Sequence, residues 1–286
     1  MSGLVVTGAS GFIGRAVVAA AHAPVTRVAW PLEDAASWRR AMALAGGAPT
    51  VIHAAFPGRV TWNEIGEGGL RCFAEATSLA LLEAWRDFPA ARVVLLSTAA
   101  VYASAEGPVA EDARVGPTTP YGRAKLRQEA LLSAAAPGPL VIARVFNAIG
   151  PGQPRGYLAQ DLIDRVRLAR DGDSLAVGPL GTERDYVDVG DVAQILLSSH
   201  LMGCVNIGTG VGTVGLELAR LIAEHLGRTV TFAPSALDGG VQRSIADTAR
   251  LRSFGLTAPT TVARALERQC AAGVDTPDAP RYGVAP

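Results

Sequence analysis

At 286 residues the chain is long enough for one large domain, or for a core with a smaller lobe. Its 26 Lys plus Arg balance 26 Asp plus Glu, and 49% of its residues are hydrophobic. That excludes wholesale disorder and any general electrostatic pull toward nucleic acid or an anionic membrane. Three scattered cysteines, Cys72, Cys204 and Cys270, argue for a reducing compartment rather than a disulfide framework. The four histidines share no ligand spacing, so no metal is expected. No basic leader precedes the first strand and no apolar run is long enough to span a bilayer, so a cytoplasmic protein is expected.

In chain order, short apolar runs alternate with stretches of helical period, the pattern of repeated βα units around a parallel sheet. Strands are predicted at Leu4–Thr7, Arg27–Trp30, Thr50–Ala54, Arg92–Ser97 and Leu140–Val145. Helices are predicted near 12–22, 34–45, 69–86 and 119–134, with Asp34 as an N-cap. Beyond Asn147 the chain becomes richer in Arg, Gly and Pro; helices follow near 157–170, 190–201 and 214–226, with a strand at Cys204–Ile207. The expected fold class is α/β, a doubly wound parallel sheet of Rossmann type with a smaller C-terminal substrate lobe. Residues 1–150, completed by about 185–210, form the nucleotide-binding core, and 151–286 mainly the substrate lobe. The tail Thr276–Pro286, with three prolines, reads as loosely held.

The first strand runs into Gly8-Ala9-Ser10-Gly11-Phe12-Ile13-Gly14. Gly8 permits a sharp turn, Gly11 close approach of a pyrophosphate, and Gly14 tight packing of helix on strand. Strand, loop and helix in that order form a dinucleotide-binding context. Further on, Tyr121 and Lys125 lie one helical turn apart on one face. A phenol holds its proton to about pH 10. A cation nearby should favour the phenolate and bring Tyr121 toward the working range of a general acid or base.

These residues resemble the extended short-chain dehydrogenase/reductases, the NAD-dependent epimerase/dehydratases. The likeness covers most of the chain. It rests on the glycine motif, His53-Ala54-Ala55, Ser97-Thr98-Ala99-Ala100-Val101-Tyr102, Glu111-Asp112, Tyr121-x-x-x-Lys125 with Glu129, Arg144-Val145-Phe146-Asn147, Arg184-Asp185-Tyr186-Val187-Asp188 and Val205-Asn206-Ile207-Gly208. The resemblance implies roles. Tyr121 would exchange a proton with the substrate oxygen, Thr98 would hydrogen-bond that oxygen, and Lys125 would hold the nicotinamide ribose and lower the tyrosine pKa. Gly8, Ser10, Gly11, Phe12, Ile13, Gly14, Arg15, His53, Ala54, Ala55, Val145 and Phe146 would contact the cofactor. Asn147 and Arg184 would face substrate. Read from the residues alone, His53 is equally a satisfied core histidine, and Arg184 equally a structural clamp to Asp185, Asp188 or Asp191. Of four tryptophans, Trp62 is the one to watch.

Two departures stand out. A dinucleotide fold usually places an acid ~20 residues past its glycine loop to grip the adenosine ribose. Here the strand ends in Trp30-Pro31, which suggests shortened or fused second and third βα units. With Arg15, Arg27, Arg39 and Arg40 nearby, NADPH is the expected cofactor and NADH the alternative. The other departure is Ala74, which stands where the family often carries a proton-relaying asparagine. The expected function is an NAD(P)H-dependent ketoreductase acting on a small-molecule ketone of polyketide type. A nucleotide-sugar epimerase that keeps its NAD is the alternative, and a nucleotide-sensing regulator comes last. No nucleic-acid or membrane partner is expected; a homodimer through helices 69–86 and 119–134 is.

Overall fold

The computed structural model describes residues 3–28, 30–234 and 243–272. The tail from Thr276 therefore lies outside the described residues. Strand β1 (Leu4–Thr7) leads through the glycine loop into α1 (Phe12–Ala20), followed by β2 (Val25–Arg27), α2 (Ala35–Ala45) and β3 (Thr50–His53). Then come α3 (Arg59–Trp85), β4 (Arg92–Thr98), α4 (Pro120–Ala135), β5 (Leu140–Val145) and β6 (Asn147–Ile149). Next are α5 (Leu158–Leu168), β7 (Ser174–Val177), β8 (Glu183–Asp188), α6 (Val189–Leu197) and β9 (Gly203–Ile207). Last come β10 (Gly212–Val214), α7 (Gly215–His225), β11 (Thr231–Pro234), β12 (Arg243–Ser244), α8 (Ala249–Ser253) and α9 (Val262–Ala271).

The main sheet is parallel, in the order β2-β1-β3-β4-β5-β9. Its strands are continuous apolar runs because both faces are covered: Val6, Ile52, Val94 and Val205 pack on one side, and Val5, Val51, Val93 and Leu95 on the other. A full dinucleotide-binding sheet has three strands on each side of its switch point. Here β1 has only β2 beyond it, so the first half is one strand short, as the fused second and third units implied. The strand expected at Arg27–Trp30 forms earlier, at Val25–Arg27. The span expected at 69–86 belongs to a longer element from Arg59, broken at Gly66, whose φ of 62° only glycine adopts readily. Asp34 caps α2, accepting from the amides of Ala36 and Ser37.

Register places the functional ends together. Thr7 lies beside His53, and Thr98 beside Val145, along the C-terminal edge of the sheet. A second core, built from Ile163, Val166, Leu218, Ile222 and Leu266, holds α5, α7 and α9 around the small β10-β8-β12 sheet. β8 brings Arg184 over that same edge, pairing with β6 so that Asn147 faces Tyr186. Among the described residues, no helix is long and apolar enough to cross a membrane.

Candidate active site

The glycine loop is shaped by contacts that exclude side chains. A Cβ on Gly14 would sit 1.9 Å from the Gly8 carbonyl oxygen, and one on Gly8 would meet the Ala55 amide at 2.8 Å. Gly8 also has a φ of +65°. The N-cap of α1 is Gly11, with no side-chain cap, so the first amides of a nine-residue helix remain available to an anion. The loop therefore fits a dinucleotide pyrophosphate, held by the backbone from Ser10 to Ile13. Arg15 points elsewhere, donating to the carbonyls of Ser10 and Gly152.

Thr98, Val145, Phe146, Asn147 and Arg184 line one cleft of about 210 Å³, with Tyr102, Thr118, Thr119 and Arg243. Of the substrate-facing residues expected from sequence, Thr98, Asn147 and Arg184 line this cleft from three separate segments, whereas Tyr121 is not among its lining residues. Thr98 Oγ1 accepts from the Ala100 amide, and its hydroxyl lies near enough to Tyr121 to favour the phenolate. Arg184 is not the clamp for the three nearby acids. Asp185 serves the amides of Thr209, Gly210 and Ala246, Asp188 caps α6 and pairs with Arg268, and Asp191 holds Thr260. A larger groove of about 440 Å³ between α1 and α6 holds Arg15 and the Arg268–Asp188 pair. Asp188 Oδ2 makes no well-directed hydrogen bond there, only that ion pair. That groove carries neither Thr98, Tyr121 nor Lys125; the smaller cleft carries Thr98 and reaches Thr119, the N-cap of the helix that bears Tyr121 and Lys125, so it is the candidate site.

The expected effect of Lys125 on Tyr121 is not found. Burial pushes the phenol well above its ordinary value; Tyr157 adds to this, and only the nearby Thr98 opposes it. The reason is Phe56, from the loop after β3. Its ring meets the Tyr121 ring edge-on at 5.3 Å and lies 4.2 Å from Lys125 Nζ. Lys125 is almost fully buried, donating to the Leu96 carbonyl (2.9 Å) and Gln128 Oε1 (3.1 Å). Burial lowers its pKa to about 7, against the opposing pull of Glu129. Trp62 stacks on Tyr121 at 4.4 Å and 15°, with its indole nitrogen donating to the Pro57 carbonyl. Phe56, Tyr157 and Gln128 were missed from sequence. Gln128 was findable at helical spacing from Lys125, whereas Phe56 and Tyr157 carry no local signal.

His53, expected at the cofactor, is a core histidine. It has no exposed surface; Nδ1 sits 2.8 Å from Thr7 Oγ1, and the ring meets Trp38 edge-on at 5.2 Å. Ala54 and Ala55 instead close over Gly8, and the Ala55 amide donates to Thr7 Oγ1. Burial, followed by the charge of Lys125, lowers the His53 pKa from 6.5 to about 3. A base whose folded pKa is depressed is neutral when folded and protonated when unfolded between those two values. Stability is therefore fully present above pH 6.5 and is lost as pH falls toward 3. At pH 4.5 the loss from His53 is about 3 kcal/mol. Melting curves at pH 7 and 4.5 should show a smaller acid-induced drop in His53→Gln than in wild type.

At the adenosine end, Asp34 is spent on its cap and Arg39 on Glu83 and Asp87. With Arg15 also committed, Arg27 and Arg40 remain exposed beside β2 and α2.

The model of the NAD dependent epimerase/dehydratase family matches residues 4–208. The chain belongs to this family. A dTDP-L-rhamnose 4-epimerase of Burkholderia thailandensis is 33% identical over 142 residues, covering 46% of this chain and 39% of that protein. A dTDP-6-deoxy-L-talose 4-dehydrogenase (NAD(P)(+)) of Kitasatospora kifunensis is 33% identical over 152 residues, covering 48% and 47%. The matched segments thus span less than half the length of these relatives. Among solved structures, MoeE5 in complex with UDP-glucuronic acid and NAD superposes with a TM-score of 0.78 at 28% identity, covering 94% of this chain and 97% of that one.

Proposed function

We propose that this protein is a nucleotide-sugar epimerase. It oxidises a sugar carbinol to a ketone and reduces that ketone from the opposite face, keeping its NAD throughout. A bound nicotinamide would take up the hydride and give it back. The chain's own residues handle the proton and the substrate. Tyr121, as phenolate, takes the hydroxyl proton as the carbonyl forms and returns it on reduction; this role requires its raised pKa to fall in the loaded site. Arg184 lines the cleft beside Arg243, which is paired with Glu183, and Asn147 is fixed there by its bond to the Asp185 carbonyl. The named 4-epimerase relative and the UDP-sugar held by MoeE5 support this substrate class.

The observation that carries the reading is the surroundings of Tyr121. Trp62 covers one face of its ring and Phe56 meets it edge-on, and Ala74, near where the family resemblance would put a relaying asparagine, is fully buried. An epimerase gives back the proton it takes and needs no resupply. A reductase must reprotonate Tyr121 on every turnover.

The ketoreductase reading stands second. It is favoured by the adenosine end, where Asp34 is committed to its helix and Arg27 and Arg40 could receive a 2′-phosphate. Denaturing the purified protein and identifying released nucleotide separates the two. Near-stoichiometric NAD, followed by interconversion of UDP- or dTDP-hexose epimers, is expected. An empty site that takes up NADPH and oxidises it with simple ketones would replace the epimerase by the reductase.

A further inference from the structure

The chain contains one lysine, Lys125, against 25 arginines. Every other cationic side chain is a guanidinium, which never sheds its proton and presents a wide planar fork. At this one position the chain keeps a compact amine, 2% exposed, held between the Leu96 carbonyl, Gln128 Oε1 and the face of Phe56.

Gln128 is fully buried. The polarity of its amide is forced, because the flipped orientation would set NH2 against an ammonium, donor on donor. With Oε1 accepting from Lys125, Nε2 faces Thr77 Oγ1 at 3.4 Å and His53 Nε2 at 3.5 Å. Thr77 donates its own proton to the Phe73 carbonyl and so accepts from Gln128. His53, neutral, then accepts at Nε2 and carries its proton on Nδ1, which donates to Thr7 Oγ1. Thr7 adjoins Gly8 and also accepts the Ala55 amide. Lys125, Gln128, Thr77, His53 and Thr7 are all buried.

We propose that Gln128 is a positioning residue for Lys125, aimed by a hydrogen-bond chain that runs through His53 to Thr7 at the glycine loop. It ties the catalytic helix to the strand that presents the cofactor loop, across the sheet edge and independently of Tyr121. Its bearing on cofactor binding rests on the functional reading above; its effect on Lys125 does not. Few titratable groups face this amine. Glu129 on α4 favours its charge, and neutral His53 comes from β3. Thr77 from α3, the Leu96 carbonyl from β4 and Phe56 do not titrate. Tyr121, one turn back on α4, touches the far side of Phe56.

A single lysine makes the test direct. Protein labelled with [ε-13C]lysine gives one side-chain signal, whose shift against pH reports Lys125 alone. Gln128→Leu removes an acceptor of the ammonium, and its midpoint should fall by about one unit or more, tenfold in the equilibrium. Gln128→Glu, of the same size, should raise the midpoint. Protein freed of retained nucleotide and titrated calorimetrically with NADH at pH 7 should bind it about tenfold more weakly in Gln128→Leu and keep most of the affinity in Gln128→Glu. Midpoints within about 0.3 unit of wild type in both variants would overturn the proposal, leaving Gln128 as packing. If Gln128→Leu does not fold, the Gln128→Glu midpoint decides. If wild type retains no nucleotide and binds neither NADH nor NADPH, the functional reading fails while the titration still judges Gln128.

Discussion

Replacing Tyr121 with Phe should lower turnover by about 10²- to 10⁴-fold and leave nucleotide retention and melting temperature near wild type. The variant keeps the ring, and with it the Trp62 stack at 4.4 Å and the edge contact with Phe56. It loses only the hydroxyl, whose removal should cost stability about 1 kcal/mol or less. The rate loss corresponds to about 3–5 kcal/mol of transition-state stabilisation, so binding and catalysis separate cleanly. Single-turnover measurement of hydride transfer reads the chemical step directly. Retention of more than about a tenth of the rate would move the proton-transfer role to another group, and Thr98 would be examined next. A sensor on this fold would show no change in ligand binding or output, which makes the variant a test of enzymatic function under either proposed reaction.

The pattern of legibility follows the range of the interactions. The glycine loop, the Asp34 cap and the apolar strands were readable because each depends on residues a few positions apart. The missing strand beside β2 was readable from Trp30-Pro31 standing where an acid belongs, and the sheet order accounts for it. The electrostatics of the site were not. Helical spacing puts Tyr121 and Lys125 on one face, yet Phe56 arrives from a loop 65 residues earlier than Tyr121 and contacts both. Burial then sends the two pKa values apart, the phenol up and the amine down to about 7. His53 shows the same limit. Its place at a strand end was legible, but its partners, Thr7 and Gln128, come from β1 and α4, and only the packed sheet brings them to it.

Arg144→Met should destabilise the protein by about 3–5 kcal/mol, and Glu129→Leu by a similar amount. Arg144 donates to both carboxylate oxygens of Glu129, at 2.7 to 3.2 Å, and Ser97 donates a short hydrogen bond to the same group. The side chains of the pair are 9% and 5% exposed, so removing either partner strands a charge where water cannot reach it. Arg144 also lies 4.8 Å above the Tyr102 ring and donates to the Glu111 carbonyl. The double variant leaves no charge unpaired and should recover much of either single loss, a coupling that urea unfolding of the four proteins would measure. Purely additive losses would mean that the two residues act as separate fillers. Coupling would give the pair a functional meaning through its position. Glu129 lies one turn beyond Lys125 on α4, Ser97 immediately precedes Thr98, and Arg144 immediately precedes Val145. The pair pins the helix that carries the amine and phenol to the two strands that carry the cleft. The single variants should therefore lose turnover beyond what their unfolded fraction explains, and the double variant should regain stability ahead of activity.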